Sequence, residues 1–505
     1  MSLSILFKNS GYKLNNKMPK FFLDLKLDQI KDALYFQAQD SYLIPYFYTP
    51  LNNLDDIKYR QDIFKDFSNK EFYNQFRQLF IRLYSIYNAY IENKEANDNY
   101  FNKSRRLKII YEYNKLINDC INLFENNKYS SDGLKNVYNF FKEYINSNEY
   151  KTFLKNIDNV REVFKKIKFT FILKGSEIFV DKMEEHDKDI SNDVIEISSV
   201  FSYGRVKHIP ESNYEPTPTI DEEIYVKLKK LYKKEFIIID EFFENNSNFY
   251  SNDLLNIVKE SRFYFTYIQL MDKIKNNNLL FSIPEVSKSY DEVSIDSYDL
   301  ALAIKFNYEK RVVVTNSFEI KEKERIIILT GPNQGGKTTF SRQLGQIHYL
   351  ARLGVPVMGI NNKIHLIDNI YTSYKTEENI DTLDGKLKIE LNAVKEILDN
   401  ASSDSLILFN EIFASTTKID GEDISNLILD RINKIGSLCL FVTFLTDLSK
   451  RNDVIVLSSN VDPNNKELRT YKITKTLLLG SAYPSSIQAK YGLTYDKIRG
   501  ELNED

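Results

Sequence analysis

One stretch constrains this chain more than any other. Gly331-Pro332-Asn333-Gln334-Gly335-Gly336-Lys337-Thr338 fits the spacing G-x-x-x-x-G-K-[ST]. It follows an apolar β-branched run at 325–330 and opens a helical pattern at 339–353. In that strand-to-helix setting, the glycines let backbone N–H groups close around a diphosphate at a helix N-terminus. Lys337 supplies a positive charge to β and γ oxygens, and Thr338 supplies a hydroxyl to Mg²⁺. The pattern therefore predicts an ATP·Mg²⁺ site at residues 331–339, with Thr339 completing it. A glycine-rich turn that binds nothing is the alternative.

About seventy residues on, the apolar run 406–409 ends in Asn410-Glu411. A nucleotide hydrolase places there an acid for the Mg²⁺ shell and then a Glu that polarises water. Glu411 is the candidate general base. Asn410 can hydrogen-bond a metal-bound water but brings no charge, so Mg²⁺ binding leans on Thr338 and the phosphates.

Runs at 311–315, 325–330, 405–409, 438–444 and 454–458 alternate with helical stretches after Pro284, as in a parallel α/β sheet. From about residue 57 to 274 the pattern is mostly helical, with long charged segments at 72–93, 106–126 and 222–246. Tyr225, Leu228, Leu231, Tyr232 and Phe236 fall on one stripe there, away from Lys229, Lys230, Lys233 and Lys234. A β-rich start at 169–173, acidic residues and Pro210, Pro216 and Pro218 mark an insertion at about 169–220 that ends in a loop. The expected organisation is multidomain. An N-terminal segment (1–45) is followed by a mostly α-helical region (46–290), then an α/β P-loop domain (296–505).

At 505 residues, the chain has length for about three domains. Lys+Arg 68 against Asp+Glu 71 leaves a formal charge of −3, so nucleic-acid contact must come from local patches. Lys103, Arg105, Arg106 and Lys108 form one basic cluster, Lys165, Lys166 and Lys168 a second, and residues 227–234 a third. Solvated helix faces are the plain alternative for each. Cys120 and Cys439 are 319 positions apart and read as buried thiols, which with the absence of a signal segment or long apolar run predicts a cytoplasmic protein with no membrane span. His186, His208, His348 and His365 lack metal-ligand spacing.

The sequence from Thr330 to Thr339, with Arg342-Gln343 and Gly354-Val355-Pro356-Val357, resembles the TGPNMGGKST…RQ…G…VPA run of the MutS mismatch-repair ATPases. Ile367-Asp368-Asn369-Ile370-Tyr371-Thr372 is similar to the family's IDRIFTR. Glu411-Ile412 with Thr416, Asp420 and Gly421 is similar to EIGRGTSTYDG, and Lys490-Tyr491-Gly492-Leu493 resembles SYGI. Tyr48-Thr49-Pro50-Leu51 with Arg60-Gln61 looks like the start of the family's helical core, and residues 263–272 like its lever. The resemblance implies an ABC-type ATPase domain, a homodimer whose nucleotide sites lie across the interface, DNA binding and a possible downstream repair protein as partner.

The chain also departs from the family. Phe444 stands where its ATH segment has histidine, Asn410 replaces its metal-shell aspartate, and Gly385 replaces its signature serine, although Glu390 keeps a later acid. Those departures imply slow hydrolysis. The short stretch before Tyr48 implies no N-terminal mismatch-reading module, and the short stretch after Tyr491 no appended nuclease domain. Phe141-Lys142-Glu143 and Phe242-Phe243-Glu244 match the family's Phe-x-Glu wedge but fall in helical core sequence. The implied function is an ATP-binding, slowly hydrolysing DNA-structure binder that favours branched or bent duplexes over simple mismatches, in mismatch repair or structure recognition. The rival is a nucleotide-gated protein-interaction module with little or no DNA binding. A small-molecule phosphotransferase would need neither the long helices nor the 367–372 match.

Overall fold

The computed structural model describes residues 3–8, 12–36, 38–95, 100–174, 177–184, 220–275, 278–374, 383–414, 416–462, 465 and 468–476. Most of the expected insertion loop and Lys490-Tyr491-Gly492-Leu493 lie outside them.

The chain divides into two compact units. One comprises Met1–Tyr73, Tyr129–Lys135 and Lys259–Asp505, and the other Asn74–Lys128 and Asn136–Val258. The expected boundary near 285–300 coincides with neither limit, because residues 4–60 are bonded to the C-terminal part. Tyr349 of the helix after the phosphate loop donates to the Phe47 carbonyl, Leu51 N–H donates to the Arg352 carbonyl at 2.9 Å, and Gln346 donates to the Leu25 carbonyl at 2.8 Å.

The second unit is helical, built from stretches of Lys70–Glu95, Tyr100–Asn126, Asp132–Asn146, Asn148–Lys166, Ile220–Leu231, Lys233–Asn245 and Asn252–Lys275. Phe76, Phe80, Tyr113, Leu116, Phe124 and Phe141 are buried there, at the three-and-four spacing that puts apolar side chains on one helix face. The wedge-like Phe141 and Phe242 are thus core residues. The expected helix over 222–246 is two helices. Tyr232 leaves helical geometry (φ −120°, ψ 44°), and its hydroxyl donates to the Lys168 carbonyl. Phe169–Lys174 pairs antiparallel with Glu177–Lys182.

The first unit holds a six-stranded sheet. In chain order its strands are β1 (Ile326–Thr330), β2 (Ile370–Tyr374), β3 (Leu406–Asn410), β4 (Leu438–Val442), β5 (Ile455–Val461) and β6 (Arg469–Lys475), arranged β2-β3-β4-β1-β5-β6. All neighbours are parallel except the β5–β6 pair. β1, β3 and β4 are buried along their whole length, which their unbroken apolar runs require of central parallel strands. Helix α1 (Lys337–Arg352) covers one face. On the other, Ile326, Ile328, Ile407, Phe409, Cys439 and Phe441 cluster with Val394, Ile397 and Leu398 of α2 (Leu383–Asn400) and Ile428, Leu429 and Ile432 of α3 (Lys418–Ile435).

A smaller four-stranded sheet contains Glu285–Ser287, Glu292–Ser297, Asn316–Ile320 and Ile360–His365. The run at 311–315 was expected to be a strand and is not. Its Val312 is 87% exposed, and the alternating burial that a half-buried strand needs begins at Asn316.

Candidate functional site

Register brings the site together. Asn410 lies opposite Val442, Val442 opposite Leu329, and Ser458 opposite Thr330, so β1, β3 and β4 end along one edge, past which β5 runs on to Val461. Gly331, Glu411 and Thr443-Phe444, which follow β1, β3 and β4, are therefore neighbours, with Ser459 of β5 beside them. Ligands of parallel α/β sheets bind outside such carboxyl ends.

The loop between β1 and α1 is tightly built. Gly331 has φ +128°, closed to most side chains, and a Cβ at Gly335 would lie 2.4 Å from Ser459 Oγ and 3.0 Å from the Pro332 carbonyl oxygen. Lys337 is inside the loop, donating to the carbonyls of Gly331 and Pro332 at 3.1 Å each and lying 4.0 Å from Glu411 Oε1. Burial, with some help from Arg469 and against Glu411, lowers the Lys337 pKa from its ordinary value. Thr338 Oγ1 donates to Asn410 Oδ1 at 3.1 Å, so the hydroxyl and amide expected around a divalent cation meet. Glu411 donates its N–H to the Val442 carbonyl at 2.9 Å and has φ +57°, while Phe413 has φ +59°. Two non-glycine residues in left-handed backbone mark a strained turn, as is common at working sites. Glu390 of α2 accepts the Phe413 N–H at 3.0 Å, tying α2 to that turn. Gly385 lies in the first turn of α2.

A cavity of about 390 Å³ opens over the loop. Residues 334–339, Glu411 and Tyr471, which packs against Gly336, line it at the loop, and Phe306, Arg311, Val312 and Val314 also contribute. Arg311 stacks over the Phe306 ring, with its guanidinium carbon 4.1 Å from the centroid. The glycine loop can cradle a polyphosphate, and the apolar and aromatic part of the lining can take a base. Closed glycine contacts, an internal ammonium and the Thr338–Asn410 pair fit ATP with Mg²⁺.

Residues 327–500 match the family model of MutS domain V. Over 196 residues the chain is 32% identical to the Staphylococcus carnosus protein named endonuclease MutS2, a match covering 38% of this chain and 25% of that one. Over 356 residues it is 24% identical to the Lactobacillus delbrueckii protein named DNA mismatch repair protein MutS, covering 66% of this chain and 41% of that one. Residues 327–500 are thus a MutS domain V by sequence, and the relatives support a MutS-family protein.

In this MutS-family chain, the loop residues, Asn410 and Glu411 converge at one edge. The part of the cavity lining formed by Phe306, Val312, Val314 and Tyr471 was missed from sequence. Residues 311–315 read as a strand, and Tyr471 is 155 positions beyond Asn316, so no local pattern joined them. The join is tertiary: Asn316 donates to the Tyr471 carbonyl at 3.1 Å and accepts the Ile473 N–H at 2.8 Å. Ser459 was also missed.

The basic clusters are changed by the structure. Lys103 is buried and pairs with Asp240 at 2.6 Å, and Lys229 pairs with the same carboxylate at 2.9 Å. Arg106 donates to Asn93 Oδ1 at 2.8 Å and stacks on Phe243. An ammonium held as deep as that of Lys103 needs a carboxylate beside it, whereas Lys229, half exposed, reaches the same carboxylate from the surface. Lys108, Lys165, Lys166, Lys168, Lys230, Lys233 and Lys234 remain exposed, with Lys165 in a surface pair with Glu162.

His348 faces Glu292 at 2.8 Å within the core, and His365 bonds Asp404 at 3.0 Å. Cys120 and Cys439 are buried and free, and burial raises both thiol pKa values. Among the described residues no group of His, Cys, Asp and Glu could by itself hold a metal, and no helix is long and apolar enough to cross a membrane.

Proposed function

We propose that this chain is an ATP-switched DNA-structure binder of the MutS type, with an ABC-type nucleotide domain that works as a homodimer. The observation that carries this reading is the meeting, at one sheet edge, of Lys337 inside a closed glycine loop, the Thr338–Asn410 pair and Glu411 beneath one cavity. Bound ATP with Mg²⁺ supplies the phosphoanhydride whose hydrolysis resets the switch. Residues 331–339 hold the phosphates, Thr338 and Asn410 face the cation, and Glu411 accepts the proton of attacking water. A neutral Asn410 gives the cation one charge less than a carboxylate would, which supports slow turnover.

DNA would be gripped through phosphates by exposed lysines of the helical unit. Such contacts give affinity without base information, so branched or bent duplexes are favoured over a simple mismatch. The names of the relatives support action on DNA, and a downstream repair protein is a fitting further partner.

One observation favours the second reading, a nucleotide-gated protein-interaction module. The first basic cluster loses the buried Lys103 to Asp240, and the exposed Lys229 of the third pairs with the same carboxylate. Mobility shifts on duplex, mismatched, branched and single-stranded DNA, with and without ATP and across a salt series, decide between them. Retention that weakens steeply with salt supports the first reading, and no retention at low salt refutes it. Calorimetry with Lys337→Ala tests the nucleotide site, and phosphate release by Glu411→Gln tests the base. Sedimentation with and without ATP tests the dimer.

A further inference from the structure

Gln343 and Gln346 lie on one face of α1, both are buried, and neither belongs to the phosphate loop. Both N–H groups and the oxygen of the Gln346 amide are bonded. Its Oε1 accepts the Leu300 N–H at 2.7 Å, and its Nε2 donates to the Leu25 carbonyl and to Asp299 Oδ1 at 2.8 Å each. The Leu300 N–H can only donate and the Leu25 carbonyl only accept, so the amide has one orientation. Asp299 is 1% exposed and caps the helix Leu300–Glu309 by accepting the Leu302 N–H at 3.1 Å. Gln343 Nε2 donates to Ser297 Oγ at 2.7 Å and to the Asn316 carbonyl at 3.3 Å. The Asn316 side chain in turn holds the Tyr471 carbonyl and the Ile473 N–H.

These bonds run to segments that line the cavity. The helix capped by Asp299 carries Phe306 and leads into Arg311 and Val312, and Asn316 is bonded to the strand of Tyr471. The phosphate loop is held by other bonds, from Lys337 to the Gly331 and Pro332 carbonyls and from Thr338 to Asn410. The two sets share no partner. An apolar side chain in place of either amide would leave buried polar groups unpaired, a cost that is relieved by moving the segments that carry them. We propose that Gln343 and Gln346 are positioning residues that hold Phe306, Arg311, Val312 and Tyr471 at a set distance from the phosphate loop, and so fix where a nucleobase sits. This rests on reading residues 331–339 as the nucleotide site. Such a lock acts on the base and leaves the phosphates alone, whereas a merely structural role would weaken the binding of both.

The test compares wild type, Gln343→Met, Gln346→Met and Asp299→Asn in the full chain, with a thermal melt as the folding control. Methionine keeps the length of glutamine but cannot make these bonds, and asparagine keeps an oxygen for the Leu302 and Gln346 N–H groups. The first readout is calorimetric titration with ATP·Mg²⁺ and, separately, with tripolyphosphate·Mg²⁺, which carries the phosphates without a base. Each methionine variant should lose about tenfold or more in ATP affinity, the size of one base–aromatic contact, and keep its tripolyphosphate affinity within about twofold. Asp299→Asn should track wild type with both ligands. The second readout is hydrogen exchange without nucleotide. Gln346→Met should exchange faster across residues 300–309 and Gln343→Met across 316–320, with 331–339 unchanged in each. Equal losses for the two ligands, undiminished ATP binding, or exchange that rises as much at 331–339 overturns the proposal. It also falls if Asp299→Asn behaves as Gln346→Met, since the carboxylate charge and not the amide would then set the lining. Should one methionine variant give no cooperative melt, the other carries the same comparison. A wild type that binds neither ligand refutes the nucleotide reading separately, while the exchange comparison still judges the lock.

Discussion

Gly335→Ala adds one methyl group at the most crowded point of the phosphate loop. Its Cβ would stand 2.4 Å from Ser459 Oγ, 3.1 Å from Ser459 Cβ and 3.0 Å from the Pro332 carbonyl oxygen. Rotation of the serine hydroxyl relieves the first contact only. The other two involve a Cβ on a sheet strand and a carbonyl that accepts both the Gly335 N–H at 3.3 Å and the Lys337 ammonium at 3.1 Å. Overpacking of this kind costs about 1–3 kcal/mol. At about 2–4 °C per kcal/mol for a domain of this size, the melting transition of the nucleotide unit should fall by several degrees. Because the displaced carbonyl belongs to the loop, ATP affinity measured by calorimetry should fall by at least about tenfold.

Ser459→Ala makes the argument testable on its own terms. Ser459 Oγ is buried with no hydrogen-bond partner among the described residues, so its removal should be neutral or mildly stabilising. In the Gly335→Ala background it should restore part of both losses, giving a favourable coupling in a double-mutant cycle. A Gly335→Ala protein that melts and binds ATP like wild type would refute the close-packing argument. A double variant no better than Gly335→Ala would show that Ser459 is not the obstacle.

Asp240→Asn should destabilise the helical unit by about 2 kcal/mol in a denaturant melt, less than for a fully buried pair because part of Asp240 faces water. Burial alone would raise the Asp240 pKa, but the bonds from Lys103 and Lys229 outweigh it and lower the value, so its contribution is present above about pH 3.8 and lost as pH falls through the folded value. For His348, burial opposes the charge, but the Glu292 carboxylate and the Leu344 carbonyl prevail and raise its pKa. Its contribution is therefore complete below about pH 6.5 and lost as pH rises through the folded value, and His348→Gln should remove that slope from melting temperature against pH. Cys120 and Cys439, buried with raised pKa values, should react with a thiol reagent only as the chain unfolds, and stoichiometric labelling of the native protein would contradict their burial.

The phosphate loop was legible because its requirement is local: glycines, a lysine and a hydroxyl at fixed offsets between a strand and a helix. The central strands were legible for a related reason, since burial on both faces demands unbroken apolar runs. Asn410-Glu411 could be found because the pair ends such a run. The same local patterns suggested basic clusters, yet they could not show that Asp240 takes up Lys103 and Lys229 from 137 and 11 positions away. Nor could they join Phe306, Val312 and Tyr471 into one cavity lining, place Ser459 beneath Gly335, or bond residues 4–60 to the nucleotide unit. Those outcomes depend on strand order and register, which bring distant backbone ends to one edge. Phe444 shows the division most clearly. Its identity as a departure from the family histidine was plain in the sequence, but only the β4–β1 register puts its ring over the Lys337 ammonium, where an aromatic face has a charge to hold.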